Sequence, residues 1–188
     1  DRYASRGLGD VYKRQGFDSV DIEAMKKKNI IVTNTPNAVR RPVAVAALTM
    51  IFSVAGKLLQ KDHLVRSGKW NDRTNFMGTG LAQKTLGVIG AGNIGTETIK
   101  LSKPFFKNIV AYDPFKSEKQ LTEIGAIKVD LIELACKSDF VVILCNLDSN
   151  TKGMIQSNFF SNMKKSAYIF NLSRGPVINE SHLENALE

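Results

Sequence analysis

The chain has 188 residues, 43% hydrophobic and 23% charged, with a formal net charge of +8, which describes a water-soluble globular protein of one domain plus part of another. Two cysteines, Cys136 and Cys145, cannot build a disulfide framework and fit a reducing cytoplasm, while the longest apolar run, residues 43–55, is interrupted by Thr49 and Ser53 and is too short for a bilayer. The positive charge does not point to nucleic acid, because Lys57, Lys61, Lys164 and Lys165 are scattered without aromatic interleaving.

Residues 1–15 stand apart from the rest of the chain. The chain starts at Asp1 rather than methionine, and Asp10-Val11-Tyr12-Lys13-Arg14-Gln15 resembles a translated transposase adapter, so this stretch is expected to be a non-native tail. From Gly16 the pattern becomes structured. Residues 20–28 read as a short helix, with Asp21 and Glu23 early and Lys26 to Lys28 late to suit its dipole. Asn29 breaks it, and Ile30-Ile31-Val32-Thr33 reads as a buried strand. A helix–strand pair is only the tail of an α/β unit, so residues 16–41 are expected to be a remnant of a second α/β domain. Residues 42–188 are then the main domain.

Pro42 suits the first position of a helix that is expected to run over residues 43–66 and stop at Ser67-Gly68. Its first half is apolar almost all round, the mark of a helix buried between layers or domains. Trp70 is expected to pack nearby.

The chain then reaches its most informative stretch. Thr85-Leu86-Gly87-Val88-Ile89 reads as a buried strand running into Gly90-Ala91-Gly92-Asn93-Ile94-Gly95, with a helix behind it. In this G-x-G-x-x-G spacing the first glycine makes a tight turn and the second lets a pyrophosphate approach the backbone. The third lets helix and strand pack closely. The helix start offers unpaired N–H groups to the phosphates. A second strand, residues 108–112, ends at Asp113. A carboxylate roughly 20 residues past the turn can accept both hydroxyls of an NAD ribose and repel a 2′-phosphate.

Elements continue to alternate: helix 116–124, ended by Gly125, strand 127–129, helix 131–136, strand 140–145, helix 157–163 and strand 167–171. Such alternation predicts an α/β Rossmann-type doubly wound parallel sheet with strand order 3-2-1-4-5 and a site at the carboxyl ends of the strands. No metal site is expected. Arg174, in Asn171-Leu172-Ser173-Arg174-Gly175-Pro176, leaves the last strand at that same edge and can offer a two-pronged donor to a carboxylate.

Taken together, these stretches resemble the D-isomer-specific 2-hydroxyacid dehydrogenases, including phosphoglycerate dehydrogenase-like and glyoxylate reductase-like members. The matching segments are Gly16-Phe17-Asp18-Ser19-Val20-Asp21, Val32-Thr33-Asn34-Thr35-Pro36-Asn37, Gly68-Lys69-Trp70, residues 84–95, Tyr112-Asp113-Pro114 and residues 171–180. The resemblance implies NAD held by Gly90, Gly92, Asn93, Ile94, Gly95 and Asp113, with Cys145 and Asn146 on the adenosine side. It places Thr151 and the Leu172, Ser173 and Arg174 loop towards the nicotinamide. Arg174 becomes the candidate catalytic residue, orienting a small 2-oxo or 2-hydroxy acid. A homodimer built through the long helix and the Trp70 region is also implied, with neither nucleic acid nor membrane as partner.

Two departures qualify this. Val45 stands where the family often has a glutamate at the start of its long helix. The family's catalytic glutamate and histidine lie downstream of residue 188, and neither His63 nor His182 is their equivalent. The fragment is therefore expected to bind NAD and to turn over negligibly. A rival expectation is an NAD-sensing, corepressor-like binding protein; another is the cofactor domain of an S-adenosylhomocysteine hydrolase or alanine dehydrogenase relative, against which residues 171–179 argue.

Overall fold

The computed structural model describes residues 20–33 and 35–188. The expected tail over residues 1–15, the motif residues Gly16 to Ser19, and Asn34 lie outside them. The chain divides between Val39 and Arg40 into two units.

In the first unit, helix α1 (Ile22–Lys27) is capped by Asp21, whose carboxylate accepts from Ala24 N–H at 2.9 Å. The buried strand expected over residues 30–33 does not form. Those residues belong to no helix or strand, and Ile31 is 88% exposed. A strand needs a neighbour for its backbone groups, and among the described residues none pairs with it.

The second unit is built on five parallel strands: β1 (Thr85–Ile89), β2 (Asn108–Tyr112), β3 (Ile127–Lys128), β4 (Phe140–Ile143) and β5 (Tyr168–Asn171). Their spatial order is β3-β2-β1-β4-β5, as alternation predicts, and every pairing is parallel. Helices α2 (Arg40–Ala55), α4 (Asn93–Ser102) and α5 (Glu118–Ile124) supply Ile51, Ile99 and Leu121 to a core on one face, where Leu86, Val88, Phe140 and Val142 point. Helices α6 (Leu131–Lys137), α7 (Ser157–Asn162) and α8 (Glu180–Leu187) cover the other face, packing Leu134, Phe159 and Leu183 against Ile89, Val141 and Ile143. The strict two-residue alternation along β4 between the two cores is what a sheet covered on both sides requires.

The long helix expected over residues 43–66 is two helices. Helix α2 ends at Ala55, and α3 (Leu58–Arg66) starts after Lys57 in a left-handed conformation at φ 51°; the two axes differ by 57°. Gly56 closes α2 through its N–H to the Phe52 carbonyl at 2.8 Å. Within this unit the first half, α2, is buried on one side: Ala44, Ala47, Leu48, Ile51 and Ala55 are buried, whereas Val45, Met50 and Phe52 are exposed. Trp70, in the 3-10 turn Trp70–Phe76, is 56% exposed rather than packed away. The Arg73 guanidinium sits over its ring at 5.8 Å from the centroid. No single helix among the described residues is long and apolar enough to cross a membrane.

Helix α2 is fastened to α4 by charge as well as packing. Glu97 on α4 receives Arg41 at 2.6 Å and Arg40 at 3.7 Å. The Arg41 hydrogen bond holds the Glu97 carboxyl below its usual range, with both arginine charges adding to it.

Candidate functional site

Strands β1, β2, β4 and β5 all end on one edge of the sheet, and the segments that leave them there contain every cofactor-site and catalytic candidate named from the sequence. The chain reverses direction of growth at β1, adding β2 and β3 on one side and then β4 and β5 on the other. The crevice outside β1 and β4 is therefore the switch point where a ligand binds in open α/β sheets.

The glycine turn has the three properties its spacing predicts. Gly90 takes φ 91°, where L side chains are strained, and a Cβ there would sit 2.6 Å from Cys145 N. Gly92 faces open space, with nothing within 4 Å of where its Cβ would be. A Cβ on Gly95 would run into the Gly90 carbonyl oxygen, so only glycine lets α4 pack this closely on the turn. No side chain caps α4, whose first turn starts at Asn93 and Ile94 directly behind Gly92. The N–H groups of that turn lack intrahelical partners, and an approaching anion would find them together with the positive end of the helix dipole.

Asp113 lies beside this turn. It is only 8% exposed, and its carboxylate accepts from Ala91 N–H at 2.8 Å and from Phe115 N–H at 2.9 Å. A carboxylate has about four acceptor positions, so two remain for further donors. Outside it, Tyr112, Pro114, Lys128, Val129 and Asp130 help to line a shallow cleft of about 400 Å³. Lys128 Nζ donates to the Lys116 carbonyl at 2.5 Å, pinning the loop that comes after Asp113. The residues present thus fit a dinucleotide: an open backbone bend for two phosphates and an acceptor for ribose hydroxyls.

On the other side of the switch point, Cys145 packs directly against Gly90. Burial pushes its thiol up, with the Asp148 and Asp113 charges adding to that. Asn146 and Thr151 belong to one turn. Thr151 Oγ1 donates to the Asn146 carbonyl at 2.7 Å and accepts from Asp148 N–H at 2.8 Å. The N–H groups of Asn150 and Thr151 hold the Asp148 carboxyl below its usual range.

Leu172 packs under the sheet edge against the first core. Ser173 joins the two halves of the site, its hydroxyl donating to the Cys145 carbonyl. Arg174 is half-buried, with Nη1 donating to the Ser173 carbonyl at 3.1 Å. Two contributors were not foreseen from the sequence: the Ala91 N–H that anchors Asp113, and Asn171, whose side chain folds back on the Ser173 and Arg174 backbone. The Asn-x-Ser spacing was a signal for the second, since asparagine commonly bonds the backbone two residues on. His182 is structural in its contacts. Its Nδ1 accepts from Ser157 N–H at 3.2 Å, tying α8 to the start of α7, and His63 is exposed on α3.

Comparison with known proteins points the same way. Residues 48–188 match the family model described as the D-isomer specific 2-hydroxyacid dehydrogenase, NAD binding domain. The chain is 35% identical over 175 residues to a putative 2-hydroxyacid dehydrogenase of Staphylococcus epidermidis, covering 92% of this chain and 55% of that protein. It is 36% identical over 179 residues to a glyoxylate reductase of Thermococcus litoralis, covering 92% and 54%. Among solved structures, D-lactate dehydrogenase from Aquifex aeolicus, complexed with NAD and lactic acid, superposes with a TM-score of 0.83 at 30% identity, covering 92% of this chain and 51% of that one. The chain therefore spans about half the length of these relatives.

Proposed function

Since the chain belongs to the D-isomer specific 2-hydroxyacid dehydrogenase family and carries its NAD-binding domain, we propose that it forms the cofactor half of an oxidoreductase acting on a small D-2-hydroxy or 2-oxo acid. The observation that carries this reading is the bond from Ala91 N–H to Asp113, which sets a carboxylate beside an open glycine turn.

Bound NAD supplies or accepts the hydride. The chain's own residues do the holding. The N–H groups at the start of α4 and the open face of Gly92 receive the pyrophosphate. The free acceptor positions of Asp113 receive the adenosine ribose hydroxyls, and its charge turns away a 2′-phosphate. Cys145 and Asn146 flank the adenosine side, while Thr151, Leu172 and Ser173 line the approach to the nicotinamide. Arg174 holds the carboxylate of the 2-oxo acid and stabilises charge growing on its carbonyl oxygen.

Neither histidine is placed to be the general acid–base group of this reading: His182 uses Nδ1 to hold α7 and His63 sits exposed on α3. Absence of that group alone lowers a rate by ~10²–10⁴. Residues 1–188 are accordingly expected to bind NADH with negligible turnover of glyoxylate or hydroxypyruvate, and turnover at an ordinary enzyme rate would refute this part of the reading.

A second copy of the chain is the proposed partner of the region of α2, α3 and the Trp70 turn, where Met50, Leu59, Val65 and Trp70 are exposed. Sedimentation should show a dimer that Leu59→Glu converts to monomer; a wild-type monomer at all concentrations would count against it. Two free thiols are compatible with a cytoplasmic protein.

A further inference from the structure

Asn171 is the last residue of β5, one step before the loop that presents Ser173 and Arg174. Its amide oxygen accepts from Ser173 N–H at 3.0 Å, and its amide nitrogen donates to the Arg174 carbonyl at 2.9 Å. Both ends of one short side chain thus fix the backbone of the residues two and three positions on. A carboxamide carries its acceptor and its donor on two separate terminal atoms, which is what these two bonds use.

The loop has two further fastenings. Leu172 N–H donates to the Ile143 carbonyl at 3.2 Å, and the Ser173 hydroxyl donates to the Cys145 carbonyl. Cys145 in turn packs against Gly90. A continuous set of contacts therefore runs from Asn171 through Ser173 and Cys145 to the glycine turn. Asp113 is held by a separate set, Ala91 N–H and Phe115 N–H. The two sets meet at the glycine turn, where Ala91 follows Gly90, but the bonds that hold Asp113 do not come from residues 171–174.

We propose that Asn171 is a positioning residue for the nicotinamide end of the site. It shapes the loop of residues 172–174 so that this loop meets the nicotinamide half of the cofactor, and it leaves the adenosine end untouched. The proposal rests on the assignment of this crevice as an NAD site.

Because Asp113 is held without residues 171–174, the idea is testable by binding alone. NADH and ADP share adenosine and two phosphates, and only NADH reaches the loop. Dissociation constants for both are measured on wild-type chain, Asn171→Ala and Asn171→Asp. Asn171→Ala removes both bonds. Asn171→Asp keeps the acceptor for Ser173 N–H but sets a charged oxygen against the Arg174 carbonyl. Both variants are expected to weaken NADH about tenfold, the scale of losing one or two such bonds, with ADP changed by less than about twofold. Ser173→Ala, which cuts only the fastening to Cys145, should weaken NADH in the same selective way, and it serves if an Asn171 variant does not fold.

Equal loss of NADH and ADP would show a merely structural role and overturn the proposal. Unchanged NADH binding in all variants would overturn it too. A wild-type chain that binds neither ligand would instead bring down the assignment of the whole site, and this proposal with it.

Discussion

Alanine at Gly92 and alanine at Gly95 should produce opposite defects, although the two glycines lie three residues apart in one turn. Gly95 is buried, and a methyl group there would meet the Gly90 carbonyl oxygen while lying 3.6 Å from Val88 Cγ1. The backbone oxygen cannot rotate away, so α4 must back off from β1. Forcing an extra carbon into a filled site costs ~1–3 kcal/mol, and Gly95→Ala should lower the urea midpoint accordingly. At Gly92 a methyl group would meet nothing within 4 Å, and φ is an ordinary −66°. Stability should then change by no more than ~0.5 kcal/mol. The same methyl group would occupy the space proposed for the pyrophosphate. If it costs a bound ligand the same ~1–3 kcal/mol, NADH affinity falls by roughly 5- to 150-fold. Urea unfolding and NADH fluorescence titration on both variants read the two effects separately. Gly92→Ala binding NADH like wild type, or Gly95→Ala unfolding at the wild-type midpoint, would refute the reasoning.

Two further outcomes concern stability away from the site. Ser138 Oγ is buried without a hydrogen-bond partner, so Ser138→Ala should raise stability by about 1 kcal/mol in urea unfolding; a loss of that size would show an unseen partner. Asp139, at the head of β4, is partly buried, which opposes its ionisation, but Thr85 N–H at 2.9 Å and the ammonium groups of Lys164 at 3.2 Å and Lys84 at 3.4 Å outweigh this and hold its carboxyl below the usual range. Because the folded value lies below the unfolded one, the stability it lends is complete above about pH 4 and is lost as pH falls through the folded value. Asp139→Asn should therefore be less stable at neutral pH and should flatten the acid limb of a melting-temperature profile; an unchanged limb would contradict this.

The sheet was legible because each strand announces itself locally. Thr85 to Ile89 and Phe140 to Ile143 are apolar runs bounded by turns, and the glycine turn fixes how the chain leaves β1. Helix boundaries were less so. Helix α5 starts at Glu118 rather than residue 116 because Ser117 and Gln120 form a capping box, with Ser117 Oγ accepting from Gln120 N–H at 3.2 Å, a signal present in the Ser-x-x-Gln spacing. The break between α2 and α3 was not legible. A lone glycine is tolerated within helices, and the left-handed turn at Lys57 is a property of the folded neighbourhood. The strand expected over residues 30–33 failed for a related reason: apolar β-branched residues state a preference, but the pairing partner decides. At the site, glycine roles and the nearness of Asp113 came from spacing. That Asp113 is held by Ala91 N–H, and the Ser173–Arg174 backbone by Asn171, required atoms in space.

In the proposed reading, cofactor recognition turns on the Asp113 carboxylate receiving the adenosine ribose beside the glycine turn. The ratio of NADH to NADPH affinity tests this most directly, because a loss of folded protein affects both ligands alike and leaves the ratio unchanged. The wild-type chain should favour NADH by at least about tenfold, since a phosphate set against a buried carboxylate is costly, and Asp113→Asn should collapse that preference. NADPH binding as tightly as NADH to the wild-type chain, or a preference that survives Asp113→Asn, would contradict it.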